Sequence, residues 1–252
     1  MRAACFLSVL CLVSGVAQAQ EQSLESQASD PTASLMSFQF QDFFTSSVHG
    51  SSGKRNTVQF RAAIPFEIGG VSNIARLTLP GLTRNDLGET GVGDATLFNL
   101  AAFDRNWGRF GVGVVALLPT GASGVSAEKW GLGPALGFVA RSSWGLAGVF
   151  NQNIFTVAGD DSRPDVNLST LQPIISYQLG NGWSVGTSDM TFVYDWDASE
   201  FTSLPFGAKI SKLIKMGGVP VQWQLSFEHN FYDETGAPKD TIGLTAKILI
   251  PK

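Results

Sequence analysis

Apolar and polar residues alternate with a period of two along most of this chain, from about residue 36 to near residue 250. The clearest case is the stretch 219–232, VPVQWQLSFEHNFY, whose odd positions are mainly apolar and whose even positions are mainly polar. Successive side chains of a β-strand point to opposite faces, so this spacing predicts a strand with one apolar and one polar face. No convincing helical pattern lies between such stretches.

The alternating pattern recurs in twelve predicted strands, at 35–46, 56–68, 71–80, 91–103, 108–119, 130–140, 143–157, 166–179, 183–196, 201–213, 219–232 and 240–250. Short connections (69–70, 104–106, 142–143, 180–182 and 215–218) alternate with mostly longer ones (47–55, 81–90, 120–129, 158–165, 197–200 and 233–239). An even number of antiparallel strands with short periplasmic turns and longer outer loops is typical of bacterial outer-membrane barrels.

Alternation alone does not say which face is inside, because a secreted sandwich or a lipocalin-like barrel also alternates, with its apolar face inward. Three tryptophans, Trp107, Trp144 and Trp183, follow short turns, as an interfacial aromatic girdle requires. Glycines share the face opposite the bulky residues on strands 108–119 and 130–140. These features favour an all-β, antiparallel transmembrane β-barrel of about twelve strands, with its apolar face toward lipid.

The two ends of the sequence divide the chain into three parts. Residues 1–19 have the basic start, apolar centre and Ala-Gln-Ala site of a secretory signal peptide, and both cysteines, Cys5 and Cys11, lie within it. Residues 20–34 are polar and predict a flexible N-terminal segment, and residues 35–252 form the predicted barrel. Charged residues make up 15% of the chain, with a net charge of −4, which argues against a nucleic-acid partner. We therefore expect export to the cell outer membrane.

With the apolar face outward, polar side chains of several strands face the lumen. The lumen-lining candidates are Gln39, Gln59, Arg61, Glu67, Lys209, Gln222, Gln224, Glu228 and Lys247, with Ser37, Gln41 and Ser211 on the same face. Ionisable groups of both signs inside a barrel either pair across the lumen or line a route for solute. Both interpretations remain open at this stage.

One strand changes phase. In 183–196, Trp183 and Val185 are odd, whereas Phe192 and Tyr194 are even. This change predicts a β-bulge near residues 187–189 that re-aims Asp189; a misplaced strand boundary is the alternative.

Other chemistry has weaker support. His49 lies in the Gly/Ser-rich loop HGSSG and His229 on the predicted lipid face, so neither is well placed for the serine–histidine chemistry of a hydrolase. The acidic loop containing Asp160, Asp161 and Asp165 could bind a hard divalent cation, but a solvated outer loop is the better interpretation. Gly131-x-Gly133 does not open a helix and predicts no dinucleotide site. We expect no catalytic residues, no cofactor and no resident metal.

Several stretches together resemble a family of bacterial outer-membrane proteins known as the MetA-pathway of phenol degradation, and the related bacterial proteins labelled neuromedin U. The stretches are DPTASLMS (30–37), GVGD (91–94), LPTG (118–121), KWGLGP (129–134), AGD…RPDVN (158–167), LQP (171–173) and the closing Pro251-Lys252. The resemblance implies an outer-membrane barrel among transporters of small compounds, aromatic or hydrophobic ones included. It supplies no site residues.

The function favoured by the sequence is a channel or transporter for small solutes. The alternatives are a structural or binding barrel with a plugged lumen and, less favoured, an outer-membrane hydrolase. Expected partners are outer-membrane lipid and lipopolysaccharide, the barrel-assembly machinery and an unidentified solute. The Ile250-Pro251-Lys252 ending lacks the terminal aromatic that usually helps recognition by that machinery.

Overall fold

The computed structural model describes residues 23–251, apart from the side chain of Leu82. The predicted signal peptide, residues 1–19, and the first three residues of the predicted N-terminal segment lie outside the described part. No helix among the described residues is long and apolar enough to cross a bilayer.

Within residues 23–251 there are one short helix and fifteen strand segments. They are α1 Leu24–Ser29, β1 Met36–Val48, β2 Arg55–Ile68, β3 Val71–Arg84, β4 Thr90–Gly91, β5 Ala95–Arg105, β6 Gly108–Leu118, β7 Lys129–Ser142, β8 Gly145–Gly159, β9 Leu168–Gly180, β10 Trp183–Thr187, β11 Phe192–Asp195, β12 Glu200–Ser203, β13 Pro205–Met216, β14 Val219–Asn230 and β15 Pro238–Ile250.

The fifteen segments form twelve barrel strands, because three pairs are interrupted single strands. β4 and β5 both pair with β3 in one continuous register, β10 and β11 both pair with β9, and β12 continues into β13 across Leu204. Each strand pairs antiparallel with its neighbour in sequence, and β15 pairs with β1 from Met36↔Ile250 to Val48↔Pro238. The sheet therefore closes into a twelve-stranded antiparallel barrel, as the sequence predicts.

The alternation along each strand separates an outer apolar face from an inner face. On β14, Trp223, Leu225 and Phe227 are 40–53% exposed, whereas Gln222 and Gln224 are 0% and 5% exposed. A soluble domain places its side chains the other way round. The apolar exterior is the band that faces lipid in a transmembrane barrel.

The two ends of the barrel differ as predicted. Tight turns at 69–70, 106–107, 143–144, 181–182 and 217–218 join strands at one end, and the longer connections join them at the other. Gly69 and Gly70 have φ of 56° and 79°, the left-handed pair that a two-residue hairpin turn needs. Trp107, Trp144 and Trp183 are all about 40% exposed beside these turns, where an interfacial girdle belongs. The short-turn end is the periplasmic end in barrels of this kind.

Residues 23–34, expected from their composition to be a flexible segment, lie inside the barrel in the structure. Ser23 caps α1 by accepting a hydrogen bond from the Ser26 backbone N–H, and Ser26 and Ala28 are buried. Ala28, Ala33 and Leu35 pack in one cluster with the inward-facing Leu249 of β15. The segment is polar because it fills a polar lumen, a position that composition alone does not distinguish from solvent.

Candidate functional site: an occluded lumen

The inner wall of the barrel has an apolar half and a polar half. Inward-facing side chains of β5 to β9 form a buried cluster of Phe98, Leu100, Val115, Ala135, Val139, Leu146, Phe150 and Ile174. Strands β1, β2 and β13 to β15 carry the polar residues. Around this cluster the inner face is apolar as well as the outer one, which simple alternation did not predict. The polar surface of the lumen therefore lies mainly on one side.

The predicted lumen residues occupy the inward phase of their strands in a consistent register. Gln39 pairs with Arg61 and with Lys247, and Gln222 pairs with Lys247 and with Leu213. Gln39, Gln222 and Gln224 are buried, and Gln224 donates to Gln222 Oε1 over 2.7 Å.

Glu67 stands apart from the other lumen candidates. It shares the phase of Arg61 on β2 but lies one residue from the end of the strand, at the short-turn rim, where it is exposed. It lines a shallow surface cavity with Asp104 and Arg109 rather than the centre of the barrel.

The predicted bulge is confirmed. The β10–β11 strand is interrupted at residues 188–191, and its register with β9 shifts by one residue, from Gly186↔Ser176 to Phe192↔Leu171. Trp183 is on the outer face before the interruption, and Phe192 is the first paired residue after it. The interruption leaves residues 188–191 outside the strand ladder, Asp189 among them, and such a break changes the direction of the side chains that it carries.

Asp189 joins three strands of the polar half. Its Oδ1 lies 3.1 Å from Lys209 Nζ, and its Oδ2 lies 3.4 Å from Arg61 Nη1. Gln41 also donates to Asp189 Oδ2 over 3.4 Å, and Gln59 donates to Gln41 Oε1 over 3.0 Å. This charged layer crosses the lumen at mid-height.

Arg76, in the middle of β3, was missed as a site residue. Its guanidinium lies 4.1 Å from the centroid of Phe98 and 5.1 Å from that of Phe150, at the border between the two halves of the wall. The alternation along β3 would have identified Arg76 as a lumen residue, since Arg76 pairs with the inward-facing Ala63. A basic residue in the centre of a predicted membrane strand must face inward.

The N-terminal segment is anchored at the short-turn end by a network of ion pairs. Asp30, with a fully buried carboxylate, accepts from Arg141 Nη2 over 2.7 Å and from the Thr32 hydroxyl over 2.6 Å. Arg109 forms a two-pronged pair with Asp104 and also donates to the Thr32 carbonyl over 2.7 Å. Buried charge is tolerated only when it is paired in this way.

A further anchor joins the two ends of the described chain. Lys247 of β15 donates from Nζ to the carbonyl oxygen of Ala28 in α1 over 2.6 Å. We call residues 23–35 the plug, because they close the short-turn half of the lumen.

The lumen contains an inner cavity and an outer cavity. The inner one, of about 70 Å³, lies between the plug and the charged layer, and the outer one, of about 350 Å³, opens toward the long loops. Arg61 and Asp189 line both cavities, so their ion pair separates them. Glu228 faces the outer cavity only.

The outer loops are folded by side-chain contacts. Asp94 accepts from the backbone N–H groups of Gly121, Ala127 and Glu128, which holds the loop 119–128 against the β4–β5 interruption. Lys129 pairs with Asp165 over 2.9 Å. Most of the stretches behind the family resemblance thus fall in two places, the plug anchor at Asp30 and this loop cluster; residues 171–173 lie instead within β9.

The two histidines do not form a hydrolase centre in the described part of the chain. His49 Nε2 lies 3.0 Å from the Asn230 carbonyl, and His229 Nδ1 lies 2.7 Å from Asp240 on the outer face. Ser47 donates to Asp240 rather than to a histidine, whereas a serine nucleophile needs the base itself within reach.

The acidic outer loop is engaged internally. Asp160 accepts from the backbone and hydroxyl of Ser162, which holds the pKa of Asp160 below its usual value. No group of three or more His, Cys, Asp or Glu side chains within residues 23–251 is arranged to hold a metal ion.

Comparison with known proteins places the fold and no more. No protein-family model matches the chain, and no curated protein matches it. A crystal structure of an outer-membrane channel from Pseudomonas putida F1 matches with a TM-score of 0.61 at 16% identity, over 86% of this chain and 94% of that one. Its likeness shows a shared outer-membrane barrel fold.

Weaker matches are the toluene transporter TodX of Pseudomonas putida and the outer-membrane phospholipase A of Escherichia coli. TodX has a TM-score of 0.43 at 10% identity, over 90% of this chain and 91% of that one. The phospholipase has a TM-score of 0.44 at 12% identity, over 86% and 92%. Neither likeness is close enough to carry an argument.

Proposed function

We propose that this chain is a channel for small solutes in the cell outer membrane, closed in this structure by its own plug. The observation that carries the proposal is the continuous polar half of the lumen, with cavities on both sides of the Arg61–Asp189 pair. Each desolvated charge costs free energy, so a charged layer inside the lumen favours a route for solute over simple filling of the interior. The fold shared with an outer-membrane channel agrees with this function, although fold does not imply function.

The route through the barrel follows from the two wall halves. A solute would enter the outer cavity from the long-loop side, pass the Arg61–Asp189 layer, and leave once the plug has moved from the short-turn end. Ile74 and Ile174, which line the inner cavity beside its charged groups, suit solutes with a hydrophobic or aromatic part. This agrees with the transport of such compounds implied by the sequence resemblance.

The plug can act as a movable closing element because only a few polar contacts anchor it. Removing the charge of Asp30 eliminates its ion pair with Arg141 while Thr32 can still bond to an amide oxygen. Breaking a buried ion pair costs about 3–5 kcal/mol. We expect Asp30→Asn to shift the plug toward a displaced, open state.

Single-channel recording in planar bilayers tests the channel and the plug together. Wild type should give rare conducting steps and Asp30→Asn frequent ones, whereas Asp161→Asn, the same change in the exposed outer loop, should behave as wild type. Equal, frequent steps in all three would leave the channel standing and reject the plug as its gate. Silence in all three, from barrels shown to be folded by their heat-dependent gel migration, would reject the channel.

A second function has support from the same plug. Residues 23–35 fill the short-turn half of the lumen and bury Thr32 completely, as in a structural or binding barrel whose outer loops contact lipopolysaccharide or other partners. Such a barrel stays silent in bilayers, and deleting residues 120–127 would abolish binding to lipopolysaccharide vesicles without unfolding the barrel. In either role, we propose outer-membrane lipid around the apolar belt and the barrel-assembly machinery as partners.

A further inference from the structure

The inner cavity carries an excess of positive charge. Four basic side chains line it (Arg61, Arg76, Lys209 and Lys247) together with two carboxylates (Asp189 and Asp30). Asp30 is paired with Arg141, which lies outside this lining. Asp189 alone is left to balance the four cations, and it contacts Lys209 and Arg61.

Two of these cations have no carboxylate within ion-pair distance among residues 23–251. Lys247 donates to a neutral carbonyl, that of Ala28, and the guanidinium of Arg76 lies over the faces of Phe98 and Phe150. Arg76 Nε and Arg61 Nε are both buried without a hydrogen-bond partner in the described part of the chain. A buried guanidinium nitrogen without an acceptor is unfavourable, and an oxyanion would relieve that cost.

The same cavity has apolar groups beside its cations. Ile74 and Ile174, which are 2% and 8% exposed, line it together with Leu35 of the plug. Two aromatic rings pack against the guanidinium of Arg76, and a planar guanidinium can bind a carboxylate through two parallel N–H bonds. A site with cations beside an apolar surface fits a ligand that has an anionic group next to an apolar body.

We propose that the inner compartment is a binding site for small amphipathic organic acids, with the ligand carboxylate held by Arg76, Arg61 and Lys247 and its apolar body against the Ile74–Ile174 side. This inference rests on the proposed channel function and names its solute class. The closed cavity of about 70 Å³ holds little more than the carboxylate, since a water molecule alone takes up about 30 Å³. The apolar body occupies the space that residues 27–33 vacate when the plug moves.

Equilibrium titration calorimetry tests the site independently of conduction. The protein is Asp30→Asn, in which the plug anchor is weakened, and the probes are benzoate and its neutral isostere benzamide. Benzoate should bind at least tenfold more tightly than benzamide, and adding Arg76→Gln should weaken benzoate about tenfold or more, the effect of one charged hydrogen bond. Arg76→Lys retains the charge but not the forked guanidinium, so its benzoate affinity should lie between those of Arg76 and Arg76→Gln. Arg84→Gln, at the exposed end of the same strand, is the matched control and should change nothing.

Three results would overturn the site: equal binding of benzoate and benzamide, benzoate binding unaffected by Arg76→Gln in a folded barrel, or inorganic phosphate binding as tightly as benzoate. Equally tight binding of phosphate would show that the apolar surface does not contribute to ligand binding. A conducting Asp30→Asn barrel that binds no benzoate refutes the acid site and leaves the channel. Benzoate binding that depends on Arg76, in a barrel that never conducts, refutes the channel and leaves the site.

Discussion

Gly207 shows how one missing side chain sets the position of a charge on the neighbouring strand. A Cβ built on Gly207 would lie 2.5 Å from the Phe227 carbonyl oxygen and 2.6 Å from Glu228 Cγ, and would also overlap the Ser188 hydroxyl. The Gly207 carbonyl accepts from Ser188 N–H over 3.1 Å, and its N–H points to Met190 Sδ. The glycine therefore accommodates the bulge that carries Asp189.

Gly207→Ala should destabilise the barrel by about 1–3 kcal/mol, because two of the close contacts are to a backbone oxygen and to a packed side chain. Gly81→Ala is the control, since a Cβ there meets nothing closer than 3.7 Å. Urea unfolding in micelles, followed by tryptophan fluorescence, measures both. Equal midpoints for the two variants would show that the bulge does not depend on Gly207.

Individual residues were predictable from the sequence where local phase decides the side chain's direction. The change of parity after Val185 was enough to predict the bulge and the turning of Asp189. The ion-pair partner of Asp30 was not predictable, because Arg141 is 111 positions away along the chain. Alternation gives the face on which a side chain lies, but not what it meets across a closed lumen.

At the scale of elements, side-chain ion pairs hold the long connections against the strands. Arg55, at the start of β2, donates from Nε and Nη2 to Asp86 Oδ1 over 3.1 and 2.9 Å. These bonds from Arg55 hold the pKa of Asp86 below its ordinary value. Loop 85–89 is therefore fastened to the neighbouring strand by an ionised carboxylate.

The sign of the pH effect follows from this lowered pKa. Asp86 contributes to loop docking at every pH above its ordinary value of about 3.9, and the contribution is lost as the pH falls through the lowered folded-state value. A spin label on Leu87→Cys, an 81% exposed position, should be immobile at pH 7 and mobile near pH 2. With Asp86→Asn added, it should be mobile at both. An unchanged spectrum at low pH would contradict the contribution of this pair.

Element positions were the most predictable level of the fold. All twelve predicted strands are present, since alternation, glycine turns and loop polarity all act within about fifteen residues. The departures occur where distant contacts decide. The strand is interrupted between β4 and β5 because two residues there bond elsewhere. The Gly93 N–H donates to the Pro80 carbonyl, and the Asp94 carboxylate accepts from the loop 119–128. Residues 23–34 become ordered only because a barrel surrounds them.

At the scale of the whole molecule, the barrel is polarised in two directions. Along its axis, the plug and short turns lie at one end and the long loops at the other. Across its axis, an apolar half-wall faces a charged one. The inner face of β5 to β8 is largely apolar because its side chains pack together and against Thr32 of the plug. Gly137 leaves room for Thr32, since a Cβ there would lie 3.2 Å from the Thr32 methyl carbon.

The orientation in the membrane is testable with single cysteines. Both natural cysteines lie in the predicted signal peptide, so an introduced thiol would be unique in the mature chain. Ala198→Cys, in an exposed long-end turn, should react with an impermeant maleimide in intact cells, and Ser143→Cys, in a short turn, only after permeabilisation. The reverse labelling pattern would show that the barrel has the opposite orientation. If neither cysteine reacted in a membrane fraction, the barrel would not lie in the outer membrane as proposed.

The anchors of the plug also fix an order in time. Residues 23–35 precede β1, yet their partners Arg109, Arg141 and Lys247 come from β6, β7 and the final strand, β15. The Lys247 bond and the Leu249 contact meet the plug across the seam where β15 pairs with β1. The first described segment of the chain to be made is thus the last to be secured. A barrel whose seam has not closed cannot seat its plug, so a seated plug reports that assembly is complete.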